Sequence, residues 1–365
     1  MNGRSRLVVW SMALIAGVPA LCAADEQERQ PPELKRSLVV SGQGYFPVAL
    51  RLQDGRIAVI LRGGAGHLGI KGRLDVVFSA DEGQTWTKPA VVVDSPVDDR
   101  NPAFGQAQDG TLVVAYWRYG NYDEKGRPYR PLRADKVSTW VTRSTDGGKT
   151  WEESKAIDVS DIEWGSPYGK IITLPNGALL LAIYGGQERN GYVYRSTDQG
   201  KTWKRIGSMG KRCNEPALVR LSSGKLLAAV RTSDSGGVAL LESSDQGKTW
   251  SKPKRVTPDS VHPADFLMLP SERVLLVVGY RAGKGPYGVR GLVGDKDGTF
   301  AWDKRFVLVN DAPSIDCGYP SSVLLKDGRV LTVYYGRSND HPEWGLHCGA
   351  VTYRLPEAGR LPEAP

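Results

Sequence analysis

The chain has 365 residues, 40% hydrophobic and 24% charged, with a formal net charge of +8 and four cysteines. So few cysteines exclude a disulfide framework as the main scaffold: with Cys22 in a leader, Cys213, Cys317 and Cys348 remain, an odd number that cannot all pair within one chain. The positive balance favours anionic partners, but it is spread along the sequence without a dense Lys/Arg block, which argues against nucleic acid as the partner.

At the start, Arg4 and Arg6 precede an apolar run from Leu7 to Val18, and the small residues Ala23 and Ala24 follow. This is the pattern of an export signal cleaved before Asp25. The run is too short to span a bilayer, and no later stretch is long and uncharged enough to do so. The expectation is a secreted or periplasmic protein without stable membrane insertion. Bulky Leu21 stands before Cys22, where a lipidation motif needs a small residue, so a lipid anchor is not expected. The chain divides into a leader (1–24), a linker (25–37), one β-rich unit (38–356) and a tail (357–365).

Within that unit an apolar segment, a tight turn and a second apolar segment recur six times, beginning with PVALRLQDGRIAVILR at Pro47. The turns are Asp54-Gly55, Asp109-Gly110, Asn176-Gly177, Ser223-Gly224, the degenerate Ser271-Glu272, and Asp327-Gly328; pairs of this kind are hairpin signals. Between the hairpins lies an octapeptide: SADEGQTW from Ser79, STDGGKTW from Ser144, STDQGKTW from Ser196, SSDQGKTW from Ser243, and a worn copy, GDKDGTFAW, from Gly294. Asp and Ser bind turn amides, Gly accepts a positive φ, and Trp covers the turn with apolar surface. Short strands alone would also suit a β-sandwich or a β-helix, but six regular modules predict an all-β fold, a six-bladed β-propeller of four-stranded antiparallel blades.

Topology assigns the faces. In an up-and-down blade the octapeptides occupy the turn between the third and fourth strands, so they are a folding signature at the rim opposite the start of each inner strand. The other rim gathers Tyr45, Arg62 and His67 from blade one, then Arg100, Asn101, Arg118 and a long loop from Tyr119 to Lys136 from blade two. Blade three adds Trp164, Ser166, Tyr184 and Gln187, and blade four Asn214, Glu215 and Arg231. Blade five adds His262, Asp265, Arg281 and Arg290, and blade six Tyr319, Arg337, His341, Trp344 and His347. Guanidinium groups grip carboxylates and aromatic faces stack on sugar rings, so this rim suits an anionic, ring-shaped ligand such as a glycan or acidic oligosaccharide. The long blade-two loop is the expected determinant of specificity.

With these motifs the chain resembles the sialidase (neuraminidase) superfamily over essentially its whole mature length, the octapeptides being similar to its Asp-boxes, or BNR repeats. Glu215 in NEPALV and Arg231 in AAVRTS look like the family's paired Glu and Arg; Arg290 in GVRGLV and Tyr319 in GYPSSV look like its carboxylate-binding Arg and its Tyr. The resemblance implies a Tyr nucleophile whose phenol proton passes to the Glu. Two family features are missing: Tyr45-Phe46-Pro47 stands where the family has Arg-Ile-Pro, and His67 stands where it has its acid/base Asp. An imidazole can do acid–base work near neutrality, and Arg62 or Arg100 are the candidates to supply the missing charge.

The resulting expectation is an exo-acting glycosidase removing a terminal sialic or uronic acid. Tyr319 is its nucleophile, Glu215 the base and His67 the acid/base, and Arg231 with Arg290 holds the carboxylate. Arg62, Arg100, Asn101, Arg118, Tyr184, Asp265 and Arg337 complete the substrate-binding candidates. A uronate lyase and a non-catalytic carbohydrate-binding propeller are the alternatives on the same frame. No cofactor is called for. His67, His341 and His347 lack metal-ligand spacing, so no metal is expected either. Oligomeric state is left open.

Overall fold

A computed structural model describes residues 29–355, apart from 130 and 233–235. The expected leader and tail lie outside the described residues. Six sheets form the six blades of a propeller, and the helical content is limited to single 3-10 turns. No described helix is long and apolar enough to cross a membrane.

Every predicted hairpin is the turn between the first and second strands of a blade. In each, the first loop-flanking residue accepts a bond from the amide three residues on, as in Gly55 N to Leu52 O at 2.9 Å and Gly224 N to Leu221 O at 2.9 Å. The residue at that third step has a positive φ, glycine in five blades and Glu272 (φ 58°) in the degenerate one. A three-residue loop with a left-handed final residue follows the twist of the strands it joins.

Two features depart from uniform four-stranded blades. The inner strand of blade three is broken into Gly165–Pro167, Gly169–Lys170 and Ile172–Thr173, and its middle piece pairs in parallel with the inner strand of blade two, Asp98–Gln106. Blades two and three therefore form five-stranded sheets. The ring is closed by Lys35–Ser41, which pairs antiparallel with His347–Tyr353 as the outer strand of blade six. This strand starts inside the stretch read as a linker, and it covers an edge that would otherwise be open.

The core lies in the seams between blades. Clusters of buried apolar side chains join neighbouring blades, as Val59 and Leu61 of blade one meet Leu331 and Val333 of blade six. Each octapeptide Trp packs on the seam with the preceding blade: Trp86, Trp151, Trp203, Trp250 and Trp302 in turn. In the turn itself, Ser196 Oγ accepts from Gly200 N at 2.9 Å, and Asp198 accepts from Thr202 N and Thr202 Oγ1 at 3.0 and 2.6 Å. These bonds hold the Asp81 carboxyl, in the equivalent turn, down to about 2. Gly200 has φ 84°, and a Cβ there would meet Val113 of blade two at 2.9 Å. The octapeptide is thus an inter-blade clamp.

Candidate active site

The opposite rim is built on a second repeat. Each inner strand opens with a residue followed by proline: Phe46, Asn101, Ser166, Glu215, His262 and Tyr319. Pairing with the second strand skips at this point in five blades, as between Tyr45 and Val48 or between Gly318 and Ser321. Phe46, Asn101, Glu215 and Tyr319 have φ of 55°, 50°, 46° and 50°. Left-handed backbone in a non-glycine residue costs about 1–3 kcal/mol and persists where the surroundings over-determine it. A bulge re-aims a side chain. Here it turns one residue per blade toward the channel, where side chains of different blades meet.

The meeting is direct. The Tyr319 hydroxyl of blade six donates a short hydrogen bond to Glu215 Oε1 of blade four, and Arg231 Nη1 donates to Glu215 Oε2 at 3.2 Å. Tyr319 is 8% exposed and Glu215 5%. Burial, and next the Glu215 charge, push the phenol well above its usual range, so Tyr319 is neutral and needs a base to ionise. Burial alone would raise the Glu215 carboxyl, but chiefly the Arg231 guanidinium holds it below its ordinary value. The pair is therefore a neutral phenol hydrogen-bonded to a carboxylate.

Around this pair stands an aromatic wall. Phe46, Tyr168 and Tyr335 lie with ring centroids 4.8, 5.8 and 5.6 Å from Tyr319, and Tyr45 packs on Tyr335 at 4.9 Å. Opposite, Asn101 Nδ2 donates to Ser166 Oγ at 2.9 Å and to Tyr184 Oη at 3.1 Å. His262, 6% exposed, has no hydrogen-bond partner at Nδ1; burial, then Arg281, push its imidazole down to about 3. His67 comes from the loop after the second strand of blade one, and its Nδ1 lies 2.7 Å from Asp316 Oδ1.

Several sequence expectations are corrected here. Arg290, expected at the substrate carboxylate, is 1% exposed and is held within blade five: it donates to Val309 O at 2.8 Å and Asn310 Oδ1 at 2.7 Å and stacks over Tyr280. The guanidinium beside the phenol belongs to Arg281, 5.2 Å over the Tyr319 ring and anchored on Cys317 O at 2.6 and 3.0 Å. Arg62, expected to line the substrate site, is fully buried in an ion pair with Asp98 at 2.6 Å and binds the carbonyls of Ala65, Gly66 and Gly69, so its guanidinium fastens the His67 loop. Arg118 lies on the Trp140 ring at 3.8 Å and beside Asp99. Arg337 is exposed, with its charge felt at Tyr45.

Asp265 belongs to the floor. It pairs with Lys170 Nζ at 2.6 Å and accepts from Ser322 N at 2.8 Å, while Lys170 also reaches Ser322 O at 2.8 Å. These groups sit three or four residues below the pre-proline ring, roughly 10 Å along the strands. They link blades three, five and six across the channel.

Arg100 lines the pocket wall, with its guanidinium 5.5 Å over Phe46. No group of three or more His, Cys, Asp or Glu is arranged to hold a metal among the described residues; His341 stacks on Trp344 at 4.0 Å, and His347 Nδ1 meets Gly345 O. Cys213, Cys317 and Cys348 are buried and unpaired. Asp316 is the main site residue absent from the sequence-based set; topology places Arg281 and His262 on this rim but assigns them no role in binding or catalysis. The repeated proline could have singled out His262, whereas Asp316 lies on a connecting loop with no such signal.

The BNR repeat-like domain family matches residues 62–332. No curated protein sequence matches the chain. Among solved structures, a protein of unknown function from Dyadobacter fermentans is 24% identical, with a TM-score of 0.77 over 89% of this chain and 100% of that one. The NanB sialidase of Streptococcus pneumoniae is 15% identical, with a TM-score of 0.68 over 87% of this chain and 70% of that one. The intramolecular trans-sialidase of Ruminococcus gnavus is 13% identical, with a TM-score of 0.67 over 89% and 98%. Likeness at such identities speaks to the fold. Together with the match across most of its length, it places this chain in the BNR repeat-like domain family, with the fold of a six-bladed propeller.

Proposed function

We propose that this protein is an exported, retaining exo-glycosidase that removes a terminal acidic sugar from glycans. The observation that carries the reading is the buried Tyr319 hydroxyl donating to Glu215, with Arg231 on the second carboxylate oxygen. Glu215 takes the phenol proton as the Tyr319 oxygen bonds the anomeric carbon. A carboxylate nucleophile would be repelled by an acidic sugar, whereas a phenol attacks without a prior charge. Arg231 and Arg281 flank this point and supply the cationic contacts for a substrate carboxylate. The contacts of Lys170, Asp265 and Ser322 across the channel beneath this point support exo action on a chain end.

With the family's first Arg replaced by Tyr45 and Phe46, one side of the pocket offers ring faces where a third guanidinium would stand. Sialic and uronic acids both remain substrates of this reading. The test is a screen of purified protein against sialyl, uronyl and neutral glycans, read by product mass and by the anomeric configuration of the first product. Release of an acidic monosaccharide with retained configuration, lost in Tyr319→Phe, is expected. Unchanged turnover in Tyr319→Phe would overturn the assignment, and an unsaturated product absorbing in the ultraviolet would reassign the site to a lyase.

A further inference from the structure

An imidazole acting as acid/base has a requirement that a carboxylate lacks: one particular nitrogen must face the reacting oxygen, and the other must be held. His67 Nδ1 meets Asp316 Oδ1 at 2.7 Å, and the same oxygen accepts from Tyr335 Oη at 2.8 Å. His67 comes from blade one and Asp316 from the loop entering blade six, so the contact forms only when the ring closes. The imidazole is wedged edge-on against Tyr45 and Phe46, with centroids 5.6 and 5.1 Å away. Phe46 also packs on Tyr319, so a single ring separates the imidazole from the phenol. Below it, the buried Arg62 binds the loop carbonyls.

We propose that Asp316 is a positioning residue, which keeps a proton on His67 Nδ1 and turns Nε2 toward the glycosidic oxygen. An ionised carboxylate only accepts, so the nitrogen it meets must be the protonated one. The chemistry rests on the glycosidase reading; the tautomer does not. In the first half-reaction, Tyr319 Oη bonds the anomeric carbon and its proton goes to Glu215. The glycosidic C–O bond breaks, and His67, entering this step as an imidazolium protonated on both nitrogens, passes its Nε2 proton to the departing oxygen and is left neutral with the proton on Nδ1. In the second, neutral Nε2 takes a proton from water as its oxygen bonds the anomeric carbon, and the Tyr319 oxygen leaves and recovers its proton from Glu215. The sum is glycoside and water giving sugar and alcohol, with every protein group restored.

Two measurements test this. In protein labelled with 15N-histidine, two-bond proton–nitrogen correlations report which ring nitrogen is protonated, and loss of signals in His67→Gln identifies His67 among the four histidines. Protonation at Nδ1 is expected in the wild type at a pH where the ring is neutral, with a shift toward Nε2 in Asp316→Asn and Asp316→Ala. An unchanged pattern in both variants overturns the proposal. For catalysis, methyl and 4-nitrophenyl glycosides of sialic and glucuronic acid are compared. Asp316→Asn is expected to lower kcat/KM, which reports the first half-reaction, by on the order of 100-fold for the methyl glycoside and to leave kcat/KM for the nitrophenyl one, whose phenolate departs without a proton, nearly unchanged. Equal slowing of both makes Asp316 merely structural. If the wild type cleaves none of these while the tautomer responds to Asp316, the glycosidase reading fails and the assignment of the ring's orientation stands.

Discussion

The two ends of each blade follow opposite rules. At the octapeptide end the same side chains make the same bonds in blade after blade: Ser144, Ser196 and Ser243 each accept from a glycine amide, and Asp146, Asp198 and Asp245 each accept from a threonine. At the mouth the backbone device recurs, but the side chain it presents never does: Phe46, Asn101, Ser166, Glu215, His262, Tyr319. Repetition serves stability, because each seam has the same task. Chemistry needs unlike groups at one point, which a ring supplies by varying a single position per blade.

The largest effect that could break this division comes from Tyr319→Phe. Removing the hydroxyl should lower kcat/KM by roughly 1,000-fold or more, while urea unfolding stays close to wild type. The converse is Gly200→Ala. It should lower the urea midpoint by the equivalent of about 1–3 kcal/mol, through strain at a positive φ and overlap with Val113, and leave kcat/KM at permissive temperature intact. Activity loss in the second without unfolding would erase the distinction between the two ends.

Two arginines of blade five sharpen it further. Arg281→Lys should raise KM for the acidic substrate roughly tenfold, because a planar fork anchored on Cys317 O is replaced by a mobile point charge. Arg290→Lys should shift the unfolding midpoint with KM unchanged, since its guanidinium holds Val309 O and Asn310.

A pH experiment probes His262. Its folded value near 3 lies below the ordinary 6.5, chiefly through burial. The unfolded chain therefore binds the extra proton first, and stability is lost as pH falls from 6.5 toward 3, by up to about 1.4 kcal/mol per unit. Asp99 acts in the opposite sense: burial raises its carboxyl to about 6, so its unfavourable contribution is relieved as pH falls. Comparing wild type with His262→Gln cancels the Asp99 part, and the variant should lose less stability between pH 6.5 and 5. The smallest effect is expected for Arg337→Ala, less than about twofold in kcat/KM, because exposed charges screened by solvent contribute little.

Most of the frame was legible in the chain because it rests on local chemistry. Asp-Gly and Asn-Gly turns, the Ser-x-Asp-x-Gly octapeptide and alternating apolar strands act through neighbours a few residues away, so six modules and the rim opposite the octapeptides follow from the order of the letters. Glu215, Arg231 and Tyr319 could be singled out by resemblance, and the structure brings them together. What only the tertiary structure decided is which charges face the pocket. Arg62, Arg281 and Arg290 are alike as letters, yet one clasps Asp98, one stacks on Tyr319 and one locks two strands. Their partners come from loops and blades distant in sequence, and no local pattern encodes them. The same holds for His67 and Asp316, for Lys170 and Asp265, and for the N-terminal strand that completes blade six: each is a contact between segments that meet only once the ring has closed.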